Sequence, residues 1–568
     1  MRTVFRVAFA MAAAWGAVSS IANCGGGGSR SGPATNSDAS GGSDATTLGD
    51  AASGSDSPAG DGGSLDQGDG QGSDAGSPGQ TDGAMTNVTS ITKDGVTWTF
   101  SAPASVGQFV NGDYYVVGPV TVTSISPTPQ NAAPYMNGSV LDLPTKDGKS
   151  AFDQRLNDGT DESYWFNAAD RVYAPVSLKP GDSLASSISL PACNLDGGAP
   201  TCTNGGECGG AGECQITAVM RSGDQSISPV ASVSVLTVIG AAVSADTFRP
   251  SYCDRGQTLY HADALNRSML PSLAPPTSQA GTPTLAVFEN WLRRPWIDMN
   301  PFLFDAPAEY MPDYGERVAF VDSYVGLLLE LNFPAADKVN LTNYYVQFGI
   351  VLFGCVKAGY GWPAFGGHRS GRKMPIVFAG MLLDDASMKN VSTTYPNQFG
   401  EDMQTVAISR IPGGYTQAWN GAKVIYGGHY GVNADGTLVS PGLYGPYEQL
   451  APSNTNWPLL NGNEQLGESY RRCCTSLSWI GEALAIRILA GMPIWNYQAF
   501  FDYADRWMDE PGTQTTPDSQ CVTDILTDTG FDYSSGWEDQ GQVGGYLQGE
   551  FPQYTFVDDM WSTYRSKY

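Results

Sequence analysis

The sequence predicts an α+β protein of two parts, an N-terminal antiparallel β-sandwich followed by a mainly α-helical domain. Between residues 88 and 245, short runs of β-branched and aromatic residues alternate with Gly-Asp, Asn-Gly and Ser-Pro turns, which is typical of a sandwich. From Thr247 onward the apolar residues instead recur at helical spacing, as in residues 318–331. Residues 344–356 and 374–383 are apolar on nearly every side, which predicts buried helices.

An export signal and a polar linker precede these two parts. Arg2 and Arg6 come before an apolar run that is too short for a comfortable membrane span, and small residues then lead to Cys24. This arrangement resembles the lipobox of bacterial lipoproteins, in which the cysteine is acylated; a plain secretory signal stays the alternative, because Asn23 precedes the cysteine. The predicted organisation is a signal at 1–24, a disordered Gly/Ser/Asp linker at 25–86, a β domain at 87–246 and a helical domain at 247–568.

The charge of the chain limits its partners. Its net charge of -27 repels phosphate backbones, which argues against nucleic acid. After the signal, no segment approaches the eighteen or so unbroken apolar residues of a membrane helix. Membrane contact is therefore predicted through the lipid anchor alone, at the outer membrane or cell surface, with free secretion as the alternative.

Ten cysteines in an exported chain favour disulfides. Four in a Gly-rich stretch are predicted to form two disulfides that staple a loop, with their pairing open: Cys193, Cys202, Cys208 and Cys214. A zinc site there lacks a nearby histidine and C-x-x-C pairs. The adjacent Cys473 and Cys474 are each expected to pair elsewhere, for example with Cys253, Cys355 or Cys521.

A first candidate site is the loop at residues 365–373. Its glycines let backbone approach a ligand, and Arg369, Arg372 and Lys373 concentrate positive charge in an acidic protein. These residues are predicted to bind a carboxylate or sulfate of the substrate, with His368 as acid, base or orienting group. The alternative is a helix N-terminus whose basic residues pair with carboxylates of the protein.

A second candidate site is the aromatic stretch around His429 and Tyr430. A His-Tyr pair can divide base and acid roles, and the ring of Tyr426 offers a stacking surface for a sugar. A packed aromatic loop is the alternative. Arg471 and Arg472, which precede a predicted helix at 477–489, are expected to add a second anionic subsite.

The neighbouring carboxylates Glu401 and Asp402 form a third candidate, because glycoside hydrolysis requires paired carboxylates. In so acidic a chain their adjacency also fits chance. The motifs of esterases, zinc proteases, kinases and dehydrogenases are absent from the sequence. No cofactor or metal is predicted; a calcium ion on the carboxylate-rich loops would bind without an EF-hand pattern.

The stretches GGHRSGRKMPIVFAGMLLDD (366–385) and CCTSLSWIGEALAIRILAG (473–491), with the β domain and the His, Arg and Tyr loops, resemble bacterial α/α-toroid polysaccharide lyases such as the alginate lyase and heparinase groups. The resemblance covers about residues 250 to 510. It implies a toroid, and a tyrosine or histidine that removes the proton α to a uronate carboxylate.

The function predicted first is a polysaccharide lyase that cleaves an acidic glycan by β-elimination. Tyr430 or His429 would be the base, and His368, Arg369 and Arg372 would hold the substrate carboxylate. Two alternatives stay open: a glycoside hydrolase that uses Glu401 or Asp402, and a surface lipoprotein that binds glycan without catalysis.

Overall fold

The computed structural model of the chain describes residues 85–129, 137–146, 167–189, 192–193, 214–215, 220–221, 225–226, 230–277, 282–297, 315–367, 369–418, 421–428, 431–432, 438–439, 446–450, 471, 475–508 and 555–568. Several predictions fall outside these residues. They concern the signal, the lipobox, the linker, Cys24, Cys202, Cys208, His368, His429, Tyr430, Arg472, Cys473, Cys474 and Cys521.

Strands dominate the N-terminal part. Eight of them form the main sheet: β1 (Thr86–Lys93), β2 (Val96–Gln108), β3 (Tyr114–Val117), β4 (Val120–Ser126), β5 (Ser139–Leu141), β6 (Val176–Leu178), β7 (Ser183–Ser189) and β12 (Val230–Ile239). Between β7 and β12 lie four strands of two residues each: β8 (Ala192–Cys193), β9 (Cys214–Gln215), β10 (Met220–Arg221) and β11 (Gln225–Ser226). The backbones of Cys193 and Cys214 are partners in the β8–β9 pair.

The main sheet is mixed and curled into a half-barrel. Its order is β5-β7-β12-β3-β2-β4-β6, with β1 also paired to β2. All of these pairs are antiparallel except β12 with β3, which run parallel. Alternate residues of β2, namely Val96, Trp98 and Phe100, are buried, as a strand with one face on a core requires. The α+β class is thus confirmed, while the sheet is mixed and the sandwich stays a prediction.

Helices make up most of the described C-terminal half. They are α1 (Leu285–Leu292), α2 (Gly315–Glu330), α3 (Val339–Lys357), α4 (Lys373–Leu382), α5 (Ala386–Lys389), α6 (Val391–Thr394), α7 (Gly400–Gln404), α8 (Trp479–Ile488), α9 (Met492–Trp495), α10 (Gln498–Met508) and α11 (Thr555–Tyr564). Short strands lie among them: β13 (Thr405–Ala407), β14 (Val424–Tyr426), β15 (Gly431–Val432) and β16 (Leu438–Val439). Six 3-10 turns complete the described elements: Ala168–Asp170, Ala262–Ala264, Arg267–Met269, Ile408–Arg410, Ser476–Ser478 and Arg565–Lys567.

Four helices, α2, α3, α4 and α8, form the centre of the helical half and are buried along nearly their whole length. Glycines bring them together. A Cβ on Gly481 of α8 would lie 2.3 Å from the Cβ of Ser323 on α2, and one on Gly349 of α3 would lie 2.2 Å from the carbonyl oxygen of Pro375 on α4. The backbones therefore approach more closely than larger residues would allow.

Helix α3 also meets the length and composition of a membrane span, with a mean hydropathy of 1.2. Within that window 83% of the residues are buried inside the protein, as is usual for a core helix.

Part of the sheet shares a hydrophobic core with the helices, while Val96, Trp98 and Phe100 belong to a second core within the sheet. The largest cluster of buried residues includes Val140 and Val235 of the sheet together with residues of every central helix. A buried ion pair at 2.7 Å joins Arg249 to Asp113 across the predicted boundary at 246/247. This core positions the helices that carry the site.

The disulfide between Cys253 and Cys355 ties the first loop after the sheet to α3. These two cysteines bond to each other. The suggestion that either pairs with Cys473 or Cys474 is therefore wrong.

Candidate functional site

Three segments that the sequence singled out meet at helix α7. The amide of Gly371, in the basic loop, donates a hydrogen bond to the carboxylate of Glu401. On the other side, β13 pairs with β14, and the amide of Gly427 donates to the carbonyl of Gln404 at 2.8 Å. Described residues close to His368 and His429 therefore lie against α7, although both histidines are outside the described residues.

Helix α7 is packed tightly at its first residue. A Cβ on Gly400 would lie 3.1 Å from the carbonyl oxygen of Arg369. The basic loop thus runs directly over the start of α7. This contact fixes Glu401 and Asp402 at the base of the loop.

Lys373, Asp402 and Trp495 form a satisfied buried group. The fully buried ammonium of Lys373 is paired with Asp402 and lies 4.4 Å from the centroid of the Trp495 ring. The indole nitrogen of Trp495 donates to the other oxygen of Asp402 at 2.8 Å. Burial lowers the pKa of Lys373, and Asp402 opposes that shift; burial likewise raises the pKa of Asp402, against the effect of Lys373. The binding role of Lys373 and the catalytic role of Asp402 stay predictions, and both groups already have partners within the protein.

Glu401 differs from its neighbour. Its carboxylate is fully buried, and while one oxygen accepts the Gly371 amide, the other has no hydrogen-bond partner among the described residues. Burial raises the pKa of Glu401 to about 7, with Asp402 raising it further and the Gly371 amide and Lys373 opposing. A carboxyl group of this kind changes its protonation near neutral pH.

Two further carboxylates lie close enough to Glu401 to interact with it electrostatically, and the sequence did not suggest either of them. Asp322 of α2 and Glu482 of α8 are fully buried, and none of their four oxygens has a hydrogen-bond partner of ordinary geometry among the described residues. Burial raises the pKa of each well above its usual range, and the Glu401 carboxylate raises both further, while Arg372 opposes. The hydroxyl of Tyr345 on α3 is close enough to lower the pKa of Asp322 and is also without a hydrogen bond of ordinary geometry.

The sequence did contain a pattern that indicates buried carboxylates at Asp322 and Glu482. Each is the single acidic residue within an otherwise apolar stretch of its helix, VAFVDSYVGLLL and LSWIGEALAIRI. A charged residue with apolar neighbours on all sides of its helix has to be buried. Buried carboxylates without partners are expected where their proton affinity has a function.

The other predicted binding residues lie at different depths. Arg369 is half-buried, with its guanidinium 5.2 Å from the centroid of the Phe365 ring. Tyr426 is fully buried, and its hydroxyl accepts a hydrogen bond from the Gln404 side chain at 3.0 Å. The ring of Tyr426 is enclosed by the protein in this structure. Its predicted role in stacking on a sugar stays a prediction.

Arg471 packs against α10. Its buried guanidinium is 5.5 Å from the centroid of the Trp507 ring, and it donates to the Tyr503 hydroxyl at 3.5 Å. A ring contact at 6.0 Å connects Tyr503 to Trp479, whose indole donates to Ser370 of the basic loop at 3.0 Å. Arg471 thus reaches the site through two aromatic residues, and its role as an anionic subsite stays a prediction.

Comparisons of the chain with protein-family models, with curated proteins and with solved structures found no match. The resemblance to polysaccharide lyases accordingly stays a prediction from the sequence. Among the described residues, no three His, Cys, Asp or Glu side chains are placed to hold one metal ion. Calcium on the loops stays a prediction too.

Proposed function

We propose that this chain is a carbohydrate-active enzyme that cleaves a glycan and that Glu401 is one of its proton-transfer groups. The observation that carries the proposal is the buried Glu401 carboxyl, with a pKa of about 7, at the point where the basic loop and β14 meet α7. A general acid or base works best when its pKa lies near the operating pH. Clustered perturbed groups are characteristic of active sites.

Glycoside hydrolysis is the reaction that this arrangement supports best. It requires two carboxyl groups, one that gives a proton to the leaving oxygen and one that takes a proton from water, with pKa values held apart. The amide of Gly371 and the charge of Lys373 both favour the ionised form of Glu401. Glu401 therefore acts as the base.

The site is closed in the described form, because the Glu401 carboxyl has no solvent exposure. Cleavage of a polymer requires the described parts of the basic loop, residues 365–367 and 369–371, to move away from α7. Gly366 and Gly371, with φ of 56° and 86°, lie near the two ends of this loop. Because glycine has no Cβ, the backbone torsion angles at these two positions can change without a steric clash, so the loop can move.

β-Elimination from an acidic glycan is the second candidate reaction. One observation in its favour is the position of Arg372, which is close enough to Asp322 and Glu482 to lower their pKa values. A second is that the segments on either side of His368 and His429 both contact α7. In this reaction Tyr430 or His429 would be the base, and His368, Arg369 and Arg372 would hold the uronate carboxylate.

We also propose that the chain is exported and carries a lipid on Cys24. It would then bind its polysaccharide outside the cell and contact the membrane only through the lipid. The proposal also includes the finer architecture, a β-sandwich and an α/α toroid. The curled sheet and the packed central helices support the two parts of that plan at the coarser level.

The test is incubation of the purified chain, without its signal, with a panel of neutral and uronate-rich polysaccharides. We expect new reducing ends without near-ultraviolet absorbance, and a loss of at least about 100-fold in turnover in Glu401→Gln, the usual contribution of a positioned acid or base. Glu330→Gln is the matched control, since Glu330 is equally buried on α2 but is not part of the site.

Each other outcome has a definite meaning. Ultraviolet-absorbing products would identify the lyase reaction. Glycan binding without product over days would favour the binding protein, and neither product nor binding across the panel would contradict the proposal.

A further inference from the structure

Glu482 and Asp402 are both candidates for the second carboxyl group of the site, and their surroundings separate them. Asp402 has both oxygens occupied, one by Lys373 and one by Trp495. Neither oxygen of Glu482 has a hydrogen-bond partner among the described residues, although the side chain is fully buried. A buried carboxyl without partners is costly to the fold, and Glu482, unlike the equally buried Glu330, interacts with the other buried carboxyls Glu401 and Asp322, which points to a function for it.

We propose that Glu482 is the second carboxyl group of the glycan-cleaving site and its proton donor, with the carboxyl of Asp322 positioned to keep the proton on it. This inference rests on the function proposed above. It adds a residue that neither the paired-carboxylate pattern nor the basic loop indicated.

The fold brings Glu482 to the site from two directions. It lies in the first turn of α8, and Trp479 at the start of that helix donates to Ser370 of the basic loop at 3.0 Å. One residue before it, Gly481 packs on Ser323, which follows Asp322 on α2. Glu482 is thus held between the loop above Glu401 and the carboxyl of Asp322.

An independent observation comes from Tyr345 on α3. Its hydroxyl is fully buried and has no hydrogen-bond partner of ordinary geometry among the described residues. Burial raises its pKa, and the charges of Asp322 and Glu482 raise it further, so its hydroxyl faces both carboxyls. Tyr345 of α3 thus interacts with the carboxyls of Asp322 and Glu482, and each of these carboxyls interacts with Glu401 of α7.

The hydrogen-bond donors around each carboxyl decide which of the two is the acid and which is the base. Glu401 accepts the Gly371 amide, which favours its ionised form. Burial raises the pKa of Glu482 well above its usual range, Glu401 and Asp322 raise it further, and no amide donor among the described residues opposes this, so its proton is retained. Two carboxyls with separated proton affinities are what an acid and base pair requires.

In the reaction, the proton of Glu482 moves to the glycosidic oxygen as the bond from the anomeric carbon to that oxygen breaks, and the electron pair stays on the oxygen. A water molecule forms the new bond to the anomeric carbon and gives one proton to Glu401. One water is consumed for each linkage. Exchange with solvent then returns the proton to Glu482 and frees Glu401.

The first experiment compares turnover in Glu482→Gln and Glu330→Gln. We expect turnover to fall at least about 100-fold in the first variant and to stay within about twofold of wild type in the second, with circular dichroism and melting temperature showing that both are folded. The two changes are chemically identical and equally buried. Glu482→Gln that is folded and fully active would overturn the proposal.

A second measurement does not depend on activity. The charged and titratable groups that face Glu482 are Asp322, Tyr345, Arg372, Lys373, Glu401 and Asp402. Because the folded state holds a proton on Glu482 that the unfolded state releases above about pH 4.3, stability falls as pH rises above that value. Urea unfolding from pH 5 to 8 measures how the free energy of unfolding falls as pH rises. This fall should be less steep in Glu482→Gln than in wild type, by an amount that corresponds to the release of up to one proton on unfolding.

The two measurements distinguish the failures. If no polysaccharide is cleaved but the free energy of unfolding depends less steeply on pH in Glu482→Gln, the proposed glycan cleavage is wrong, while the conclusion that Glu482 holds a proton in the folded state is supported. If cleavage occurs but the variant keeps both its turnover and the wild-type pH dependence, the role of Glu482 fails while the proposed function stands.

Discussion

Lys373 shows how far the surroundings of one residue can depart from its sequence context. Among Arg369, Arg372 and other polar neighbours, it was predicted to face a substrate. The structure buries it completely, against Asp402 and the Trp495 ring. The sequence shows that a charge is present, but the partner that lies 29 positions away is set by the fold.

Removal of the Lys373 charge should be severely destabilising. Lys373→Met leaves Asp402, whose side chain is only 14% exposed, without its cation, and we expect a loss of about 3–5 kcal/mol in the free energy of unfolding, the usual effect of breaking a buried pair. Lys373→Met combined with Asp402→Asn removes both charges and should recover a large part of that loss. Urea unfolding at pH 7 measures the single and double variants, and strictly additive losses would show that the two groups do not interact.

Helix periodicity was the most reliable guide at the scale of elements. The apolar segments predicted at 318–331, 344–356 and 374–383 correspond to α2 (Gly315–Glu330), α3 (Val339–Lys357) and α4 (Lys373–Leu382). The parallel pairing of β12 with β3 was beyond the sequence, since the strand pattern gives the buried face but not the neighbour. The same limit applies to the site: α2, α7 and α8 each contribute one carboxylate, and only their packing shows that these belong together.

The close contact of α8 with α2 gives a test of the helix packing. Gly481→Ala places a Cβ 2.3 Å from the Cβ of Ser323, which cannot turn aside, so we expect a loss of about 1–3 kcal/mol from overpacking. This occurs although alanine favours a helix by about 1 kcal/mol over glycine. Gly326→Ala is the comparison, because there the nearest atom is the flexible end of Met374, and its cost should be smaller. Equal melting temperatures for the two variants would contradict this account.

At the scale of the whole molecule, α11 closes the core. Phe556 is fully buried and its ring stacks on Tyr324 of α2, with centroids 5.7 Å apart. Beyond the helix, Arg565 bonds to Asp505 of α10, which also pairs with Arg487 of α8. The segment is therefore bound to three helices through apolar and charged contacts.

Truncation of the buried ring should weaken the whole protein. Phe556→Ala removes the stacking on Tyr324 and leaves a cavity, so we expect a loss of about 3–5 kcal/mol in the free energy of unfolding. Tyr568→Ala, at a residue that is 42% exposed, is the control and should change it by less than about 0.5 kcal/mol. Calorimetric melting of both variants provides the measurement. A Phe556→Ala protein as stable as the control would show that α11 is not part of the core.

The position of α11 along the chain also has a consequence in time. The hydroxyl of Tyr564 bonds to the carbonyl of Ala274, 290 residues earlier. A ribosome that adds about 5–20 residues per second takes about 15–60 seconds to cover that distance. Phe556 follows Tyr324 by 232 residues, which takes about 12–46 seconds at the same rate. During that time Tyr324 and its apolar neighbours on α2 lack the ring of Phe556, so the nascent chain presents chaperones with an unfinished core after its sheet has been synthesised.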